Sequence, residues 1–137
     1  PRTDYDTLRL HATLLWQGQP VHLSALHPMP PLNSAYAQAR DQALVDEALR
    51  LSQSGGLGVM AGDLNTTPWV RGLWGAEQAQ MRRAGLAVPT WPNAWGGLSM
   101  LPLDHVLASP GWQLLDAQTG PDLGSDHRPV VVRLVAQ

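Results

Sequence analysis

No cysteine occurs in the 137 residues, so neither a disulfide framework nor a thiolate metal site is available. Lysine is missing as well. All nine basic residues are arginine, which excludes Schiff-base chemistry and a P-loop lysine. There is no basic run, and the formal net charge is -2, a balance that argues against a nonspecific nucleic-acid coat. No apolar stretch approaches the ~20 residues of a membrane span, and no segment reads as a signal peptide. With 44% hydrophobic residues the chain is not of disordered composition, and its length suits one domain. It begins at Pro1 without an initiator methionine, which fits an excised piece better than a processed protein.

What is present centres on Leu57-Gly58-Val59-Met60-Ala61-Gly62-Asp63-Leu64-Asn65-Thr66-Thr67-Pro68. A short apolar run ends in glycine and is followed by a carboxylate and, two positions on, a carboxamide. In extended backbone, residues i and i+2 leave the same face, so Asp63 and Asn65 are expected together at the rim of a sheet. Thr67 as N-cap and Pro68 at the first helical position predict a helix immediately after.

Upstream, Leu8, Leu10, Ala12, Leu14 and Trp16 alternate with Arg9, His11 and Thr13, the pattern of a half-buried strand. A turn at Gln17-Gly18-Gln19-Pro20 leads to a second alternating strand through Val21, Leu23 and Ala25, completing a hairpin. His11 and His22 read as solvated strand residues. His27 stands where the second strand stops against Pro28-Met29-Pro30-Pro31 and reads equally as a site residue or a surface filler. A helix from about Ala35 to Gln53, capped by Asn33 or Ser34, places Asp46 and Glu47 on its solvated side. Strand, helix, strand in this order predicts a crossover on a sheet.

Beyond Pro68, a helix broken at Gly72 and Gly75 is expected to run to Gly85, with Arg82 and Arg83 as solvated helix-end charges. A proline- and glycine-rich loop then carries Trp91 and Trp95, which are expected to fold back on the core rather than grip a ligand. Leu103–Ala108, Trp112–Ala117 and a buried Pro129–Val135 read as the closing strands.

Two Asp-His dipeptides touch strand boundaries, Asp104-His105 and Asp126-His127. Neighbours in extended backbone point to opposite sides, so the economical pairing sets Asp104 behind His127 across strands, which fixes the imidazole tautomer and raises its basicity. Asp126 is then free to hold a divalent cation through hard oxygen, as suits magnesium. The set His27, Asp63, Asn65, Asp104, Asp126 and His127 contains a base, an orienting carboxylate and a metal carboxylate, but there is no Gly-x-Ser-x-Gly elbow and no cysteine. Activated water is therefore the attacking group, and metal-assisted phosphate-ester hydrolysis is the fitting reaction class.

Gly62-Asp63-Leu64-Asn65-Thr66-Thr67-Pro68, Leu103-Asp104-His105-Val106-Leu107 and Gly124-Ser125-Asp126-His127-Arg128-Pro129-Val130 resemble the three C-terminal motifs of the endonuclease/exonuclease/phosphatase, or DNase I-like, superfamily. His27 matches that family's mid-chain histidine. Leu26-His27-Pro28-Met29-Pro30-Pro31 and Thr90-Trp91-Pro92 are most similar to a bacterial branch whose members often carry N-terminal membrane helices. The resemblance implies an α/β (α+β) fold, part of a four-layer sandwich with mostly antiparallel sheets. It further implies a magnesium-dependent phosphoesterase or nuclease-like hydrolase, with manganese as an alternative ion. By motif match, Asp63 and Asn65 position water and a phosphate oxygen, and His127 backed by Asp104 acts on that water or on the phosphorane. His27 donates to a phosphate oxygen or the leaving group. Asp126, with Asp63, holds the metal.

The family's early asparagine motif and metal-ligand glutamate have no counterpart here, since Glu47 and Glu77 fall in predicted helices. Residues 1–137 are thus expected to be a single domain, the C-terminal portion of a longer enzyme whose parent is membrane-anchored in that branch. In isolation it would show weak magnesium affinity, little activity, and self-association through exposed apolar sheet surface. The substrate stays open among nucleic acids, phospholipids and inositol phosphates, and a non-catalytic binding or scaffold domain is the alternative reading.

Overall fold

A computed structural model describes residues 7–84, 87–94 and 101–137. Gly85 and Trp95, named above, lie outside the described residues. Strand β1 (Leu8–Trp16) and β2 (Gln19–His27) form the expected antiparallel hairpin, from Leu8 opposite His27 to Trp16 opposite Gln19. Its two-residue turn, Gln17 and Gly18, takes positive φ at both positions, the twist that lets tightly connected strands stay paired. Helix α1 (Ser34–Ser52) then crosses over, as parallel pairing demands, and β3 (Leu57–Asp63) returns alongside β2. Asn33 caps α1 by accepting the Tyr36 backbone N–H at 2.9 Å. Helix α2 (Arg71–Gln78) follows, then the short β4 (Arg82–Arg83) and β5 (Asp104–Ala108), which pairs antiparallel with both β3 and β4. The main sheet therefore runs β1-β2-β3-β5-β4, while β6 (Trp112–Thr119) and β7 (Val130–Ala136) make a separate antiparallel pair. The result is a mixed α/β architecture in which most strand pairs are antiparallel.

The core lies under the helices. Leu44, Ala48 and Leu51 recur at helical spacing on α1 and meet Leu26, Met60 and Leu107 of the sheet and Leu73 and Ala76 of α2. The opposite face of the sheet carries Asp63 and Asp104, beside a row on β1 that is still exposed: Leu8, Leu10, Leu14 and Trp16.

Several sequence expectations are corrected here. The helix after Pro68 starts later, with Val70 as an N-cap that makes no side-chain bond, so Thr67 and Pro68 belong to the preceding loop. Gly72 and Gly75 do not break α2. They lie inside it because a Cβ at either would stand 2.5 Å from Asp41 Oδ1 or Val45 Cγ2, so the two helices touch through them. Arg82 and Arg83 are edge-strand residues, Arg83 donating to Glu77 Oε1 at 2.6 Å. Strand β7 is half-buried, alternating inward and outward, rather than buried throughout.

Glu47 is the largest departure: it is 1% exposed instead of solvated. Its Oε1 accepts from Ser24 Oγ at 2.5 Å and Arg50 Nε at 2.6 Å, and its Oε2 lies 3.2 Å from His11 Nε2. The sequence hides this because Ser24 and His11 come from the hairpin, remote in the chain. Burial pushes the Glu47 carboxyl upward, but the bonds to Ser24, Arg50 and His11 outweigh it and hold the group below its ordinary 4.5. A carboxyl depressed in the fold contributes stability that is complete above the unfolded value and is lost as pH falls through the folded one. Glu47→Gln should therefore lose about 3 kcal/mol above pH 4.5 and flatten the acid-side decline below it. Denaturant titrations on both sides of that pH check this; parallel curves for both proteins would show that Glu47 does not drive the decline.

Candidate active site

Three chain segments converge at one end of the main sheet. Asp63 ends β3 and Asp104 begins β5, and the two are direct cross-strand partners. Like charges facing each other on a ladder oppose folding. They coexist because His127, from the loop between β6 and β7, enters between them. Its Nδ1 lies 2.7 Å from Asp104 Oδ2 and its Nε2 lies 3.7 Å from Asp63 Oδ2. Burial lowers the His127 pKa, but the Asp104 hydrogen bond and the charges of Asp104, Asp63 and Asp126 outweigh it, so the imidazole is held above its ordinary 6.5. With Asp104 on Nδ1, Nε2 is the nitrogen left to face the cleft.

His27, at the end of β2, closes the other side, with Nδ1 3.7 Å from Asp63 Oδ2 and a side chain 58% exposed. The Asp63 Oδ2 oxygen is thus shared between two imidazoles. Asp63 Oδ1 is occupied, accepting the Asn65 backbone N–H at 2.9 Å. Asn65 does not extend the strand, contrary to the same-face reading. Its φ of 46° is left-handed, and this turn, rather than strand alternation, brings it back to the site. Its Nδ2 donates to the Pro28 carbonyl at 2.9 Å, tying the loop after β3 to the loop after β2. Asp126 is exposed, and its backbone carbonyl accepts the Asn93 N–H at 2.6 Å.

Support for this arrangement comes from residues that the sequence did not single out as site residues. Thr90, fully buried, accepts at Oγ1 from the backbone N–H groups of Leu103 at 3.2 Å and Asp104 at 3.4 Å. The Arg128 N–H returns to the Thr90 carbonyl at 2.9 Å, and Asn93 Nδ2 donates to the Ser125 carbonyl at 3.0 Å. The loop carrying Thr90 to Asn93 thereby registers Asp104 against the His127 loop. Trp91 is partly buried with its ring centroid 6.4 Å from that of His127, so it packs on the site rather than in the core.

Carboxylate and imidazole atoms of Asp63, Asp104 and His127 lie within 4.8 Å of one another, a group able to hold a metal ion. The donor chemistry discriminates within it. Asp104 Oδ2 is taken by His127, and Asp126, which the sequence reading makes a metal carboxylate, does not join this group. The Asp63 and Asp104 carboxylates offer hard oxygens of the kind a divalent cation takes, so the group fits such an ion by donor chemistry.

Residues 1–127 match the Endonuclease/Exonuclease/phosphatase family. The chain belongs to this family. Among curated proteins no sequence matches it. Solved structures that resemble this family member include the mannosyl-6-phosphatase Bt3783 of Bacteroides thetaiotaomicron VPI-5482, 16% identical with a TM-score of 0.65, covering 87% of this chain and 52% of that one. An endonuclease/exonuclease/phosphatase from Beutenbergia cavernae is 21% identical with a TM-score of 0.70, over 93% of this chain and 39% of the other. D. rerio TDP2 complexed with single-strand DNA product is 14% identical with a TM-score of 0.72, over 95% and 62%. At such identities the likeness speaks to fold. This endonuclease/exonuclease/phosphatase chain spans about half the length of the structures it matches.

Proposed function

We propose that this chain is the C-terminal portion of a magnesium-dependent phosphoesterase that hydrolyses a phosphate ester with activated water. The observation that carries the reading is the His127 imidazole wedged between Asp104 and Asp63, 2.7 Å from one and 3.7 Å from the other, with no cysteine in the chain to act as nucleophile. Asp104 fixes His127 by Nδ1, so Nε2 is available to take or return a proton at the attacking water. Asp63 Oδ2 orients that water, and Asn65 holds a phosphate oxygen. His27, exposed beside Asp63, donates to another phosphate oxygen or to the leaving group. Asp126 and Asp63 would hold the magnesium or manganese ion, which when bound supplies Lewis-acid stabilisation of the phosphate charge. Acid-base groups of this kind contribute about 10²–10⁴-fold each.

The substrate class spans sugar phosphates, as for Bt3783, nucleic acid, as for TDP2, and phospholipid or inositol phosphates. Among the described residues no helix is long and apolar enough to cross a membrane, so the anchoring we propose for the parent would lie elsewhere. The exposed Leu8, Leu10, Leu14 and Trp16 row also supports self-association of the isolated chain, to be seen as a light-scattering mass above 14.8 kDa that falls on dilution. A monomeric mass at high concentration would end that part of the proposal. The function is tested by magnesium-dependent, chelator-sensitive hydrolysis of bis(p-nitrophenyl) phosphate by the longer parent protein, beside its Asp63→Ala variant. Equal turnover in the two would refute the assigned mechanism, and no turnover in either would favour the non-catalytic scaffold reading.

A further inference from the structure

The loop that carries Asn65 is gripped at two consecutive carbonyls by two buried side chains that the proposed chemistry does not use. Arg40, on α1 and 5% exposed, donates from Nη1 to the Asn65 carbonyl at 2.8 Å. Its Nε and Nη2 both donate to Asp41 Oδ1, at 2.9 and 2.7 Å, which fixes the guanidinium plane. One residue on, His105, 6% exposed and on the helix side of β5, lies with Nε2 2.8 Å from the Thr66 carbonyl. Burial, joined by the charge of Arg83, lowers the His105 pKa against the hydrogen bonds to the Thr66 and Pro102 carbonyls that raise it; because a carbonyl oxygen only accepts, Nε2 carries the hydrogen in the Thr66 bond.

These grips meet a backbone that needs them. Asn65 is a non-glycine residue at φ 46°, a conformation that persists when its surroundings over-determine it. The Leu64 N–H donates to the Leu103 carbonyl at 3.0 Å, and Thr66 is 2% exposed. The Leu64 and Asn65 N–H groups and the Asn65 and Thr66 carbonyls are thus all bonded.

We propose that Arg40 and His105 are positioning residues, a two-point clamp on the Asn65 and Thr66 carbonyls that holds the Asn65 side chain and the Asp63–Asn65 amide contact in reactive geometry. The activity arm of the proposal rests on the phosphoesterase reading; the geometric arm does not. An arginine suits the role because one rigid plane serves Asp41 and Asn65 in different directions at once, which a lysine ammonium cannot reproduce.

In the parent protein, Arg40→Gln should lower kcat on bis(p-nitrophenyl) phosphate about 10²-fold, the loss expected when a reacting group is misplaced by an ångström, with KM changed less than about 3-fold. Arg40→Lys, which keeps the charge, should fall between the two. In an Asn65→Ala background the further loss from Arg40→Gln should shrink to less than about 3-fold, because the side chain being positioned is gone. A full 10²-fold loss in both backgrounds would overturn the clamp, since general destabilisation adds independently of Asn65. If the wild-type parent has no turnover, the phosphoesterase reading fails and the clamp is judged by amide hydrogen exchange. Arg40→Gln and His105→Phe should speed exchange at Leu64 and Asn65 by about 10-fold while leaving the amides of α1 unchanged. Unchanged exchange at the loop would sink the clamp whatever the activity.

Discussion

Asp63→Ala should abolish magnesium-dependent turnover in the parent protein, by about 10³-fold or more, and Asp104→Asn should cost about 10²–10⁴-fold with little change in KM. The two differ in kind. Asp63 is the point where everything meets: one oxygen accepts the Asn65 amide, and the other stands 3.7 Å from both His27 and His127. Truncating it uncaps the left-handed turn and removes the acceptor shared by both imidazoles. Asp104→Asn preserves shape but removes the charge that orients His127 and holds its basicity up, and it offers an NH₂ group where an acceptor is needed. Retained turnover in Asp104→Asn would mean that His127 works without its carboxylate. Retained turnover in Asp63→Ala would refute the assigned mechanism as a whole.

Gly62→Ala should be the most destabilising single substitution near the site, by about 4–5 kcal/mol, the range reserved for changes with no route to relax. Its φ is +149°, and an added Cβ would lie 2.0 Å from the Leu26 carbonyl oxygen. That neighbour is backbone, near the end of β2 where Leu26 pairs with Arg9 of β1, and cannot swing aside as a side chain would. The same close approach brings the end of β2 over β3, which is how His27 comes within 3.7 Å of Asp63. A denaturation curve superimposable on that of the parent would show that the two strands can separate there without loss.

Much of this was legible before the fold was known, for local reasons. Alternation announced the hairpin, the helical spacing of Leu44, Ala48 and Leu51 announced α1, and strand-end logic set Asp104 behind His127. The failures came where a distant segment decided the outcome. Glu47 looked solvated because Ser24 and His11, its partners, lie 23 and 36 positions away. Arg40 gave no sign of its carbonyl target 25 residues on, and an arginine on a helix ordinarily reads as surface. Asn65 failed for a different reason: period-two alternation holds only while the strand lasts, and β3 stops at Asp63. Thr67-Pro68 carried a sound helix-start signature, yet the helix waits until Arg71, after a loop held by Arg40 and His105. The family resemblance drew on the motifs themselves, and so named candidate site residues without supplying their geometry.

The bond between His127 and Asp104 joins a residue of the β6–β7 connection to the main sheet. Asp63 and Asn65 belong to one short turn, whose amide contact spans two residues, so that part of the site has a local existence as soon as β3 ends. The base does not. It comes into being only when the second sheet docks, because its orienting carboxylate sits 23 positions back on another element. During folding, a chain with the hairpin, α1 and β3 already assembled would still lack a competent imidazole. The pairing of His127 with Asp104 in this sense exists only once both sheets are in place.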